Sequence, residues 1–155
     1  MPIDLLRELP RASRGPAAEA DRLISIEVVD HAGVPAPGRV MRATSRVIWR
    51  VQMTEPAELR TDMARLPGGN PAAELSVRIG VSDERLYEDA YRDRLPAAGV
   101  DGPAWRPLAI DLTRYSGWKW SLFHQPARRV WLLILNVQGG DAAVAFVEPR
   151  IDTRR

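Results

Sequence analysis

The 155-residue sequence has no cysteine, so a disulfide framework and every thiolate site, Cys-based zinc ligation included, are excluded. It has one lysine, Lys119, set between Trp118 and Trp120, and it has no G-x-G-x-x-G run. A Walker A loop needs Gly-Lys-Ser/Thr, so the phosphate-cradling loops are excluded too. Histidine is almost as scarce. His31 and His124 show no H-E-x-x-H spacing and read as a turn residue and a strand-end residue. Long apolar runs are missing: Val130–Leu135 and Ala142–Val147 fall far short of the roughly 20 residues that span a bilayer. The N-terminus carries Asp4 and Arg7 in place of a basic patch and an apolar core, so no secretory signal is expected. These absences predict a soluble chain with no cofactor and no metal, cytoplasmic if the chain is complete.

What remains is ordinary globular material, 45% hydrophobic and 27% charged. A chain of this length buries about two thirds of its unfolded surface in one core. Lys+Arg 22 against Asp+Glu 20 leaves a net +2, too weak to recruit a polyanion. Basic and aromatic residues do not interleave along one strand, which argues against nucleic acid as a partner. Arginine serves for nearly all the positive charge, and Ala, Pro and Gly are abundant, the coding bias of a GC-rich bacterial genome.

Along the chain, Ile3, Leu5, Leu6 and Leu9 around Asp4, Arg7 and Glu8 predict a short helical turn that Pro10 ends. Residues 11–21 read as a spacer, making 1–21 a leader and 22–155 the domain. From Leu23 the period is two. Strands are predicted at Leu23–Asp30, Arg46–Met53, Glu58–Ala64, Glu74–Ser82, Arg85–Arg94, Trp105–Leu112, Trp118–His124, Val130–Val137 and Ala142–Ile151. His31-Ala32-Gly33 with Pro35 and Pro37 reads as a turn, and Pro67-Gly68-Gly69-Asn70-Pro71 as the strongest turn. In Arg85–Arg94 a helix is the alternative, and the strand reading puts Tyr87 and Tyr91 on one face. About nine short strands without alternating helices predict an all-β, antiparallel two-sheet sandwich.

Trp105-Arg106-Pro107-Leu108-Ala109-Ile110-Asp111-Leu112-Thr113-Arg114-Tyr115-Ser116-Gly117, then Glu148-Pro149-Arg150-Ile151 on the last strand, resembles the W-x-x-x-x-x-DL-S/T-x-Y/W-x-G … P-x-I pattern of galactose-binding-like jelly-roll domains. Many carbohydrate-binding modules belong to that group. The likeness covers about Arg46 to Ile151 and departs at Phe146-Val147-Glu148, where such domains often carry Trp-Gly. It implies a jelly roll and a glycan ligand. Its calcium site has no counterpart here, because no closely spaced Asp cluster exists. At the turn, the Asp111 carboxylate can accept hydrogen bonds from backbone amides of Thr113–Gly117, and Gly117 can take φ > 0.

No catalytic motif stands out. Ser82, Ser116 and Ser121 lack a G-x-S-x-G elbow, and the carboxylates read as solvated strand faces. Sugars stack their C–H faces on aromatics and share hydrogen bonds with charged neighbours. Tyr115 and Trp118, with Arg114, Asp83 and the adjacent Arg128-Arg129, are therefore the candidate ligand-binding residues. Core packing is the competing reading for Trp118 and Trp120, and the expected one for Trp49 and Trp131. Trp105 reads as a cap on the sandwich. The expectation is a non-catalytic binding or accessory module for a glycan. A protein–protein or assembly module is the alternative.

Overall fold

Period-two apolarity becomes eleven strands in a computed structural model, which describes residues 3–6, 12–52, 56–82, 87–97, 102–113 and 130–153. The order is β1 (Ile3–Asp4), β2 (Ser13–Gly15), a 3-10 turn (Ala17–Glu19), α1 (Ala20–Leu23), β3 (Ile24–His31), β4 (Val34–Arg42), β5 (Ser45–Gln52) and β6 (Ala57–Arg65). Then come β7 (Leu75–Ser82), β8 (Tyr87–Arg94), β9 (Arg106–Asp111), β10 (Val130–Gly139) and β11 (Ala143–Thr153). They form two antiparallel sheets, β3-β4-β11-β6-β9 with β1 beside β11, and β2-β5-β10-β7-β8.

Alternation sets the core. Met41, Phe146, Met63, Leu59 and Ile110 face inward from the first sheet, against Val47, Trp49, Leu133, Ile79 and Val81 from the second. Each such side chain contributes about 1.5–3 kcal/mol when fully buried. Trp49 is core, as its pattern implies, and its indole Nε1 donates to the Leu5 carbonyl at 3.1 Å.

Three elements differ from the sequence reading. The helical turn expected at the N-terminus is a strand at Ile3–Asp4 followed by a turn, because Asp4 Oδ1 accepts the Leu6 amide at 2.9 Å and competes with helix formation. Leu5 is thereby delivered into the core, 1% exposed. The helical residues lie instead at 17–23, from the expected spacer to the start of the expected first strand.

Val34–Arg42, where the sequence shows only Pro35 and Pro37 after the His31-Ala32-Gly33 turn and no strand is expected, is a strand. Ala32 and Gly33 both have positive φ, 52° and 87°, forming a two-residue type I′ hairpin with β3. Pro35 and Pro37 lie beyond Gly38↔Val147, the last pair with β11, so their missing N–H groups cost no ladder bond on that side.

Finally, Tyr87 and Tyr91 lie on opposite faces. Asp89 pairs with Gly80 but Tyr91 with Ile79, so Ala90 is the extra residue of a bulge and the alternation reverses there. The expected strand Trp118–His124 lies outside the described residues, as do Trp120 and the side chain of Trp131.

Two buried arginines contrast. Arg65 donates to the Leu95 carbonyl at 3.0 Å and the Asn70 carbonyl at 3.2 Å. Arg39, 0% exposed, has no hydrogen-bond partner on any guanidinium nitrogen and sits 5.8 Å from the Trp49 ring. Burial, with Arg14 nearby, lowers its pKa to about 10.

Candidate functional site

The outward face of the first sheet begins with small side chains. Register places Arg60 opposite Ala109, Asp62 opposite Pro107, and Val147 opposite Asp62. Pro107, Ala109 and Val147 leave space between the longer neighbours, and the result is a groove of about 330 Å³ walled by Arg60, Asp62, Glu148 and Arg150. The register of β11 shifts between Val147 and Arg150, and Glu148 takes φ 48° there, a left-handed conformation rare for a non-glycine residue. The bulge is tied down on both sides. Thr61 Oγ1 donates to the Val147 carbonyl at 3.0 Å, and the Leu5 amide to the Pro149 carbonyl at 3.0 Å.

Charges along the groove alternate. Arg60 Nε binds Glu58 and lies 4.0 Å from Asp152, Arg150 Nε is 3.3 Å from Asp152, and Arg150 Nη1 is 3.9 Å from Glu148 Oε2. Both guanidiniums are thus matched with carboxylates, and they hold those carboxylates as oriented acceptors.

At one end stands an aromatic corner. The β3–β4 hairpin reaches across the sheet and sets His31 Nε2 2.8 Å from Asp62 Oδ2. The same imidazole packs edge-on against Trp105, ring centroids 4.8 Å apart and planes at 78°. Trp105 is half-buried, two residues before the Pro107 of the groove floor. The arrangement offers a hydrophobic ring, fixed carboxylate acceptors and guanidinium donors within one shallow surface. That is the chemistry of polyol recognition. Among the described residues no group of three or more His, Asp or Glu side chains is placed to hold a metal.

Of the residues singled out from sequence, Asp83, Arg114, Tyr115, Gly117, Trp118 and Arg128 lie outside the described residues. Asp111 ends β9, exposed, and its Oδ1 accepts the Thr113 amide at 2.9 Å. Hydrogen bonds from the Thr113 side chain and backbone hold its carboxyl below the usual carboxylate range. His31 and Trp105 were read only as a turn residue and a cap. Their meeting with Asp62 joins positions 31, 62 and 105, and no local spacing announces it.

A larger cleft of about 480 Å³ lies elsewhere, among Pro16, Glu19, Leu23, Thr44, Arg46 and Asn136. None of the described residues lining it is aromatic.

No family model matches the chain, and no curated protein sequence does. Solved structures do match. The K1 cleaved adhesin domain of Lys-gingipain from Porphyromonas gingivalis W83 aligns with TM-score 0.64 at 10% identity, over 93% of this chain and 91% of that one. A carbohydrate-binding module, CBM51, from Clostridium perfringens, solved with methyl-galactose, aligns with TM-score 0.53 at 14% identity, over 98% of this chain and 100% of the other. TmCBM61, solved with β-1,4-galactotriose, gives TM-score 0.51 at 9% identity, over 93% and 88%. The chain therefore has the jelly-roll β-sandwich fold found in carbohydrate-binding modules and adhesin domains.

Proposed function

We propose that this chain is a non-catalytic binding module that holds a neutral carbohydrate along the groove between β6, β9 and β11. The observation that carries this reading is the corner of Trp105, His31 and Asp62 at the end of a groove whose cations already have carboxylate partners. Trp105 supplies the stacking surface. Asp62, Glu148, Arg60 and Arg150 supply hydrogen bonds to hydroxyls. Arg60 is already matched by Glu58 and Asp152, and Arg150 by Asp152 and Glu148, so neither guanidinium is left to recruit the carboxylate of a uronic acid. The fold's occurrence in modules solved with galactose-containing ligands supports the same class of ligand. The floor strand β9 continues in sequence into the segment of Arg114, Tyr115 and Trp118, which with Asp83 and Arg128 we assign to the same ligand.

Titration calorimetry against galactan, xylan and a β-glucan, with polygalacturonate as the anionic contrast, tests the proposal. Binding of at least one neutral polymer is expected, with polygalacturonate silent. Trp105→Ala should weaken it roughly thirtyfold, about 2 kcal/mol, while the variant keeps a cooperative melt. Equal affinity in Trp105→Ala, or no neutral polymer bound, overturns the reading.

A further inference from the structure

An edge strand exposes a row of unpaired backbone donors and acceptors, and folded proteins ordinarily blunt that row. Among the described strands, three of the four sheet edges are blunted. β9 carries Pro107, β2 is three residues long and runs into Pro16, and β8 has a bulge and five charged residues, Glu88, Asp89, Arg92, Asp93 and Arg94. β3 differs. Its eight residues, Ile24 to His31, include no proline, glycine or lysine, and four are β-branched and apolar. Ile26 is 47% exposed and Val28 75%.

The hairpin says which groups are free. His31↔Val34 closes a two-residue type I′ turn and is a hydrogen-bonded pair, so Val29, Glu27 and Ser25 also bond to β4. Ile24, Ile26, Val28 and Asp30 then turn their N–H and C=O groups outward. Pro37 and Pro35, opposite Val28 and Asp30, agree with this phase, since neither has an N–H to give β3.

We propose that β3 pairs antiparallel with β3 of a second copy of this chain, about a two-fold axis at Val28. In that register Val28 faces Val28, Ile26 faces Asp30 of the second copy, and Glu27 faces Val29, so no like charges oppose. Ile26 and Val28 of both copies form one apolar row. Asp30 Oδ1 already accepts the Gly33 amide at 2.8 Å, so the carboxylate that would face Ile26 of the second copy is held by its own hairpin. Among the described residues none of 24–30 lines the groove, which β3 meets only through His31 at its end, so the proposal stands whether or not the groove takes sugar.

Sedimentation velocity of the full chain from about 5 to about 500 µM tests it, because a single edge contact belongs to the small, weak interfaces. The chain should shift from monomer to dimer across that range. Val28→Lys, a change at an exposed position, should remain monomeric with an unaltered melt. Val34→Lys, also at an exposed position but on β4, should still dimerise. Hydrogen exchange should slow at the Ile26 and Val28 amides in concentrated samples, with Val29 and Glu27 protected at all concentrations. A monomer throughout, a dimer indifferent to Val28→Lys, or equal loss in Val34→Lys overturns the proposal.

Discussion

The two sheets turn their outer faces to solvent with similar charge but opposite relief. On the first, Pro107, Ala109 and Val147 stay short, and a groove opens between Arg60, Asp62 and Arg150. On the second, the Ala90 bulge brings Tyr87 outward over Gly80, where any Cβ on Gly80 would overlap the tyrosine ring. Arg78 and Arg92 lie 3.6 and 3.7 Å from Asp89, and the Tyr87 hydroxyl donates to Asp89 at 2.6 Å. One face leaves a hollow beside an aromatic. The other uses its aromatic to fill the hollow. Composition is therefore a poor guide to which face binds, and cross-strand neighbours decide it.

Filling the first face should have the largest effect. Ala109 is exposed at the centre of the floor, so Ala109→Trp should cost little stability. It should lower sugar affinity at least about a hundredfold, near 2.7 kcal/mol, because the ring occupies the ligand's place. Retained binding in calorimetry would remove the groove from the comparison. The reciprocal change on the second face is Gly80→Ala. Tyr87 must move aside, and overpacking of this kind costs about 1 kcal/mol, read as a lower urea midpoint at unchanged slope. Sugar affinity should not change. An unchanged midpoint would mean that Tyr87 swings away freely and fills nothing.

The sandwich was legible because each long strand carries its own period. Leu75, Val77, Ile79 and Val81 declare an inward face without help from the rest of the chain. β4 was not legible, since Pro35 and Pro37 argue against a strand until its pairing with β11 is known to end at Gly38. The N-terminal strand was hidden by an i, i+2, i+3 apolar spacing that also suits a helix, and one Asp4 side chain decides between them. The site was the least legible. Trp105 touches His31, and His31 touches Asp62, through a hairpin bent over its own sheet, and nothing in the local sequence of any one of the three reports the other two. Asp111 was easier, because its partner Thr113 is two residues away.

The smallest effect concerns Tyr87 itself and the alkaline limb of stability. Burial, then the hydrogen bond to Asp89 and that carboxylate's charge, raise its phenol from the ordinary 10 to about 12, with Arg78 opposing weakly. Between about pH 10 and about pH 12 the unfolded chain gives up this proton while the folded chain keeps it. The stability tied to Tyr87 is thus complete below pH 10 and is lost as pH rises through 12. Two pKa units correspond to at most about 2.7 kcal/mol, and with the side chain nearly half exposed, solvent screening brings this under about 1 kcal/mol. Arg39, lowered to about 10, acts in the opposite sense over the same range, since the unfolded chain there holds the extra proton. Its contribution is common to wild type and variant and cancels in their difference. Tyr87→Phe should therefore flatten the fall in urea midpoint between about pH 9.5 and about pH 11.5 relative to wild type, with no change near pH 7 beyond the lost hydroxyl contact. Parallel curves for the two proteins would show that Tyr87 is solvated, and that the second face is as open as the first.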